Sequence, residues 1–522
     1  MKQHTRLVWI TVLVLGWLLD FLFWKQAPGI NFALYCALCL AAGAALLRLD
    51  GARMAPRAAW LLPLIAIFAL ASFLRAEPFT LFLAVLLTLF LMAVLAITCR
   101  GGRWLGYSLA DYALGLMRLT WSVLTKPFGF RAPTGTGNPA RRSTASGAWP
   151  VVRGLLLALP ILMLFAALLG SADLVFRREL DGLIKLLSLE RLPEYIFRLI
   201  YTLIAALALL GVFLHASSES KDERLLGHKP PLASGFLGFT EASIVLGGVA
   251  ILFLAFVIVQ FRYFFGGAEN IGLDGFTFAE YARRGYGELM TVAILSLLLL
   301  LGLGAVTRRD SISQQRLFSA LSVMIVLLVG VMLVSAYMRL SLYEMAYGFT
   351  RLRTYVHVSL IWLGLLIGAV VVLELLRRER LFAAAALIAS LGFAVTLIAL
   401  NVDAFIVRQN VDRARRGQGL DVPHLASLST DSVPPLVALF QSEAIPSETK
   451  DALGAALACR LESQPPRGPS DWRSFTVSQW QAVRALESVR ADLEDYKSVQ
   501  DDWFTRVFTP KGTSHDCIVF RD

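Results

Sequence analysis

The chain has 522 residues, of which 57% are hydrophobic and only 17% are charged, and its mean hydropathy is +0.64. This balance excludes a soluble globular protein of the same length, because such proteins carry about 25% charged residues. The net charge of +11 does not indicate nucleic-acid binding, since no polar segment carries a basic face interleaved with aromatic residues.

Eleven apolar runs are close to the ~20 residues that a helix needs to cross the hydrocarbon of a bilayer. Backbone amides in lipid must be bonded within their own segment, so the runs predict transmembrane helices, and the alternation of a transmembrane barrel is absent. No small-residue cleavage site follows the first run, which is therefore expected to be a retained anchor. In chain order the runs cover residues 7–24, 29–47, 58–74, 78–98, 154–176, 195–215, 239–261, 288–306, 316–338, 354–375 and 381–401.

Four tightly connected runs make up residues 1–98, and a basic connection over 99–150 follows them. The stretch 99–153 carries eight Lys or Arg residues against a single acid, Asp111, and such an excess is typical of a cytoplasmic segment. Within it, residues 104–124 are predicted to form an amphipathic helix at the membrane interface. The rest of the connection has the composition of a flexible linker.

The other strong basic clusters agree on one orientation. The N-terminus, the loop at 48–57, the turn at 308–316 and the cluster at 377–380 all fall on the cytoplasmic side if the chain crosses the membrane at each run. Seven runs over 151–401 then bring the C-terminal segment to the extracytoplasmic side. Consistent with this, residues 402–522 carry 14 basic and 17 acidic residues, whereas the rest of the chain is strongly basic.

The C-terminal segment, residues 402–522, is expected to be a small, mainly helical extracytoplasmic domain. Residues 401–413 are predicted to continue the last transmembrane helix, and 476–497 to form a further helix. Cys459 and Cys517 are predicted to form a disulfide, because two cysteines in an oxidising compartment favour a structural bridge over a metal site. No ligand spacing indicates a metal, and no cofactor is predicted.

Two predicted outward loops, 261–290 and 341–358, are rich in aromatic and charged residues. Consecutive spans pack side by side, so these loops and the exit from the last span are expected to form one polar layer at the outer surface. Its charges either pair with one another and hold the helices together, or bind an anionic headgroup or carboxylate. The candidate residues are Arg262, Glu280, Arg283, Arg284, Glu288, Glu344, Arg351, Arg353, Asn401 and Asp403.

Several ordered motifs carry a resemblance to a known family: "RYFFGG", "TFAEYARRGYGEL", "YGFTRLRTYVHVSLIWLG" and "NVDAFIVRQNVDRARRGQGLDVPHLASLSTDSVPPL". Over residues 151–440 the chain resembles a bacterial polytopic membrane family known only as a domain of unknown function, the 4153/4173 group. The resemblance implies a bacterial inner-membrane protein and this architecture, and it implies no activity.

Three functions remain open. The favoured one is a non-enzymatic envelope protein that binds an envelope protein or an anionic lipid or ligand at its outer face. The first alternative is a permease, although the ionisable residues within spans lie near membrane edges rather than at the middle. The second is a membrane enzyme acting on lipid-linked substrates, for which the only plausible acids, Glu280, Glu288 and Glu344, each have an arginine nearby. No catalytic residue is predicted.

Overall fold

The structure is a computed structural model that describes residues 4–130, 192–217, 236–264, 286–443, 445–462, 471–500 and 505–517, with single positions at 165, 169 and 173. It is an all-α polytopic membrane fold, as predicted. Within the described residues, ten helices are long and apolar enough to cross a membrane. They coincide with ten of the eleven predicted runs; the remaining run, 154–176, lies outside the described residues except for those three single positions.

The helices of the N-terminal part are α1 Thr5–Phe23, α2 Ile30–Leu49, α3 Pro56–Ala59, α4 Leu61–Leu74, α5 Pro78–Thr98 and α6 Leu109–Gly129. The next group is α7 Leu192–Ser217, α8 Phe239–Phe264, α9 Tyr286–Val306, α10 Ile312–Tyr347, α11 Arg351–Leu375 and α12 Phe382–Leu400. The C-terminal segment contains α13 Val402–Arg415, α14 Val422–Ala426, α15 Val433–Phe440, α16 Ser447–Glu462 and α17 Val477–Ser488, then β1 Lys497–Gln500, β2 Thr505–Phe508 and β3 Ser514–Asp516.

The chain divides into two compact units, and the first comprises Met1–Trp24, Ala41–Ala52 and Trp121–His215. In this unit α1 and α7 approach closely, since a Cβ added at Gly16 would lie 2.8 Å from the Thr202 carbonyl oxygen. Asp20, a charge within a span, accepts a hydrogen bond from Arg198 Nε at 2.9 Å and another from the Tyr201 hydroxyl. The charge of Asp20 is therefore neutralised by a partner on the neighbouring helix.

The second unit comprises Lys25–Leu40, Arg53–Thr120 and Ala216–Asp522. The long helix α10 is central to its bundle and packs against α8, α9 and α11. The buried residues of this core include Leu246, Leu297, Ile325 and Leu340. Helix α12 packs against both α11 and α5, so the early and late spans of this unit belong to one bundle.

The amphipathic helix of the basic connection begins later than predicted. Residues 104–106 form a short 3-10 turn, whose Trp104 indole donates to the Arg57 carbonyl at 2.9 Å. The side chains of Ser108 and Asp111 exchange hydrogen bonds with each other's backbone N–H, and helix α6 then starts at Leu109. This reciprocal cap explains the start, because it satisfies N–H groups that the first turn leaves unbonded.

Helix α10 is much longer than the predicted run 316–338. It begins at Ile312, where Ser311 and Gln314 form a capping box, and it continues to Tyr347. It ends at Gly348, whose φ of 79° lies in the left-handed region that favours glycine. Residues 341–347 were expected to belong to the outward loop 341–358, and they form about two further turns of the helix instead.

The prediction that residues 401–413 continue the last transmembrane helix is wrong. Asn401 ends α12 with φ 53° and ψ 76°, and α13 starts as a new helix at Val402. Asparagine is one of the few residues other than glycine that adopts this left-handed conformation readily. The apolar and polar patterns on the two sides are both helical, so only the backbone of Asn401 reveals the break.

Beyond α13, short helices are followed by a three-stranded antiparallel sheet in the order β1-β2-β3. The predicted helix 476–497 begins on a Thr476 cap but ends at Ser488, and Lys497 already belongs to β1. Val507 on β2 is fully buried against Ala455 and Ala458 of α16. Burial of this strand face accounts for the sheet that the helical periodicity did not predict.

The structure joins Cys459, on α16, to Cys517, just after β3, by a disulfide with Cα atoms 5.4 Å apart. The sulfurs lie beside the same buried cluster that receives Val507. The bridge therefore fixes the end of the chain to α16. Cys36, Cys39 and Cys99 are free and buried.

Alkylation of the denatured protein tests this bridge. Without reduction, three of the five cysteines should be labelled, and all five should be labelled after reduction. We also expect Cys459→Ser to destabilise the C-terminal segment by about 2–4 kcal/mol, because a closed loop restricts the unfolded chain. Labelling of all five thiols in unreduced protein, read by mass spectrometry, would contradict the bridge.

Candidate functional site

The polar residues that connect the bundle to the C-terminal segment centre on Asp403. The turn at Asn401 redirects the chain, and Asp403 then lies in the first turn of α13 with no solvent exposure. An acid in the first turn is favoured by the helix dipole. A buried carboxylate nevertheless requires donors for its oxygens, because the loss of hydration costs several kcal/mol.

Arg351, the first residue of α11, supplies two of these donors. Its Nε lies 2.8 Å from one carboxylate oxygen of Asp403, and its Nη2 lies 2.6 Å from the other. The backbone N–H of Ser429 donates to the same carboxylate at 2.7 Å. The bidentate geometry leaves the guanidinium oriented toward Asp403, so Arg351 does not face an open ligand site.

A second buried carboxylate, Glu77, contacts α11 one turn after Arg351. Glu77 caps the N-terminus of α5 by accepting from Phe79 N at 2.9 Å and Thr80 N at 2.7 Å. The hydroxyl of Tyr355, which follows Arg351 by four residues, also donates to it. One face of α11 therefore contacts α13 through Arg351 and the start of α5 through Tyr355.

A third buried acid, Asp431, faces the turn between α4 and α5. Its Oδ2 accepts the Ala76 N–H at 2.8 Å, and the neighbouring Arg75 donates to the Ile398 carbonyl at 2.8 Å. Burial raises the pKa of Asp431, while the Ala76 hydrogen bond opposes the rise. Together, Glu77, Tyr355, Arg351, Asp403 and Asp431 form a set that we call the junction.

Beside the junction, two arginines donate hydrogen bonds to the last backbone carbonyls of α10. Arg413 donates from Nε to the Met345 carbonyl and from Nη2 to the Ala346 carbonyl, both at 3.3 Å. Arg353 donates to the Tyr347 carbonyl at 3.2 Å and stacks over the Tyr343 ring at 4.1 Å. The last carbonyls of a helix have no intrahelical partner, so these contacts explain why α10 extends to Tyr347.

The loop after α10 is bound by Asn410 of α13. Its amide exchanges hydrogen bonds with both backbone groups of Phe349, at 3.0 and 2.9 Å. A Cβ at Gly348 would lie 2.4 Å from Asn410 Oδ1, so this close approach requires glycine. Apolar packing continues here, because Ile406 and Val407 of α13 share a buried cluster with Val358 of α11.

The predicted polar layer is brought together only in part. Arg351, Arg353, Asn401 and Asp403 lie at this end of α10 to α13, and Glu344 pairs with His357 Nδ1 at 3.0 Å. Glu288 lies exposed in the first turn of α9. Glu280, Arg283 and Arg284, and the side chain of Arg262, lie outside the described residues.

Sequence reasoning missed Glu77, Tyr355 and Asp431. A signal for Glu77 was present, because an acid directly before Pro78 at the start of an apolar run is typical of a helix N-cap. Tyr355 follows Arg351 at the spacing that places two side chains on one helix face. Asp431 carried no local signal, since its partner Ala76 is 355 positions away.

A family model described as "Domain of unknown function (DUF4153)" matches residues 61–439. The chain belongs to this family. The match confirms the resemblance and extends it toward the N-terminus, since the resemblance covered only residues 151–440. All five junction residues fall inside the DUF4153 region, whereas the disulfide lies beyond it. No curated protein and no solved structure matches the chain.

Two isosteric substitutions separate the roles of the buried acids. Asp403→Asn should destabilise the protein by about 2–3 kcal/mol, because it replaces a carboxylate oxygen that accepts from Arg351 with an NH₂ group that donates. Breaking a fully buried ion pair costs ~3–5 kcal/mol. The expected loss is smaller here, since the Arg351 side chain is 31% exposed. Asp431→Asn should leave stability equal or higher at neutral pH. Thermal unfolding of both variants in detergent measures the difference.

The pH dependence of Asp431→Asn gives a further check. A carboxyl with a raised pKa in the folded state contributes stability below its unfolded pKa and loses it as pH rises through the folded value. The stability of the variant relative to the natural chain should therefore increase as pH rises from below the ordinary value of 3.8. If the difference in stability between the variant and the natural chain stayed constant with pH, the result would contradict burial of the charged group.

Proposed function

We propose that the chain is a non-enzymatic protein of the bacterial inner membrane that holds its C-terminal segment at the extracytoplasmic face for a partner protein of the envelope. The observation that carries this proposal is the internal pairing of the junction. Arg351 and Asp403 satisfy each other, and Glu77 and Asp431 accept protein donors. These contacts couple the segment to the bundle, and they do not leave a convergent charged site for a substrate.

Further contacts support a fixed position for the segment. Asp471 accepts a hydrogen bond from Gln26 at 3.0 Å, and the Phe475 carbonyl accepts the Ile30 N–H at 3.0 Å. This close approach requires glycine at position 29, because a Cβ there would lie 2.7 Å from the Phe475 carbonyl oxygen. The segment thus contacts the α1–α2, α4–α5 and α10–α11 connections of the second unit. In the proposed topology, all three connections lie on the same side of the membrane.

Two observations support the proposed side of the membrane. In the proposed topology, the basic connection and the other arginine clusters lie on the side of the membrane opposite to these three connections. The positive-inside rule expects this of cytoplasmic loops. The disulfide of the segment suits an oxidising compartment. Both observations favour an extracytoplasmic segment and a cytoplasmic N-terminus.

Reporter fusions test the topology. Fusion of alkaline phosphatase after Leu425 should give active enzyme, and fusion after Arg142 should give none; a fluorescent reporter that matures only in the cytoplasm should give the reverse pattern. The two fusion points lie on opposite sides of the proposed membrane. Reporters that place both points on one side, or in the exchanged orientation, would contradict the proposed function.

The outer face of the sheet is the surface that we expect the partner to contact. Val507 points into the core, so its neighbour Phe508 points outward, and Val499 on β1 is likewise exposed. Arg506 and Asp516 form an ion pair of 2.9 Å on this face. Exposed apolar side chains with a polar surround are typical of contact surfaces between proteins.

Photo-cross-linking in intact cells tests this surface. A cross-linking amino acid at Phe508 should give one discrete adduct with another protein, whereas the same group at Glu448, an exposed position on α16, should give none. The adduct should persist in Ser322→Ala, a change at the distant end of α10. Identical products from positions 508 and 448, or no product from 508, would count against a partner at the sheet.

A further inference from the structure

A cleft of about 1450 Å³ opens between α9, α10 and α11 at the end of the bundle opposite the junction. Its walls are apolar and include Leu301, Val323 and Val370. Along α10 the cleft extends from Gln315 to Val331, which is about 24 Å at a rise of 1.5 Å per residue. The cleft is therefore longer than an isolated headgroup, and it is comparable to one leaflet of a bilayer.

One side of the cleft is open along the surface that would face lipid. Leu327 and Leu375 line it and are 58% and 67% exposed, and Met324 is 40% exposed. In a membrane such exposed side chains contact acyl chains rather than water. A hydrocarbon chain can therefore enter the cleft from the side without crossing a polar barrier.

The mouth of the cleft is strongly basic. Four arginines and one acid, Glu374, line it, which gives a net charge of +3; the arginines are Arg309, Arg316, Arg377 and Arg380. Arg309 is held in place by a hydrogen bond to the Gly304 carbonyl at 2.8 Å and by stacking on Phe318 at 4.5 Å. Within the described part of the chain, the other three form no ion pair, and each is exposed.

A structural explanation covers the arginines but not the whole site. Basic residues after the ends of α9 and α11 suit the helix dipoles, and they also act as orientation signals. However, Thr307 and Ser322 line the cleft, and their buried hydroxyls have no hydrogen-bond partner among the described residues. Both residues are more than nine-tenths buried. Elsewhere, hydroxyls such as Ser296 donate to the carbonyl one turn earlier, so these two differ.

We propose that this cleft binds one anionic phospholipid, with its phosphate at the arginine mouth and an acyl chain along α10. Arginine guanidinium groups match phosphate oxygens, and basic pockets between transmembrane helices bind anionic headgroups. Thr307 and Ser322 donate to the ester or phosphate oxygens and so gain the partners that the described residues do not supply. The site is independent of the junction, and it does not require the proposed topology.

Lipid titration of the purified full-length protein in a neutral detergent tests the proposal. Phosphatidylglycerol should raise the melting temperature at saturation, whereas phosphatidylcholine and soluble glycerol phosphate should not. The Arg316→Gln/Arg377→Gln variant should bind phosphatidylglycerol about 25-fold more weakly, at about fivefold for each arginine removed. The matched control, Arg408→Gln/Arg416→Gln, removes two exposed arginines outside the cleft and should keep the natural affinity.

The Ser322→Ala variant provides a test that does not depend on charge. Its melting temperature without lipid should equal or exceed that of the natural chain, because a buried hydroxyl without a partner costs free energy. Its affinity for phosphatidylglycerol should fall. Equal losses in the cleft and control arginine variants, equal binding of phosphatidylcholine, or competition by glycerol phosphate at the affinity of the lipid would each overturn the proposal.

Discussion

The position of the C-terminal segment depends on the burial of one charge, that of Asp403. A carboxylate with no exposed surface is tolerated only where donors replace its lost hydration, and here Arg351 and the Ser429 N–H supply them. These donors come from α11 and from the turn before α15. The break at Asn401 lets α13 start as a separate helix, which packs against α11.

Charged side chains have different surroundings at the two ends of the bundle. At the junction, buried acids are matched by donors within the protein, and arginines such as Arg413 are used to cap a helix. At the opposite end, Arg316, Arg377 and Arg380 of the cleft are exposed, and two buried hydroxyls have no hydrogen-bond partner within the part of the chain that the structure describes. Internal pairing favours a fixed structural connection, whereas unmatched donors favour an external anion.

The spans were predictable because lipid leaves a chain few choices: an apolar run of sufficient length must become a helix. The sequence also indicated that Arg351 and Asp403 would approach each other, since they flank consecutive spans. Long-range partners could not be inferred. The end of α10 depends on Arg413, 68 positions after Met345, and Asp431 finds its donor 355 positions away. The break at Asn401 was hidden because both flanking patterns are helical.

A double-mutant cycle between Arg351→Ala and Asp403→Asn tests the central claim most directly. Unfolding free energies in detergent would be measured for the natural chain, both single variants and the double variant. Direct pairing predicts that the double variant is less destabilised than the sum of the single variants, by about 1–3 kcal/mol. If the two losses instead add to within about 0.5 kcal/mol, or if Arg351→Ala leaves stability unchanged, the ion pair does not connect the segment to the bundle.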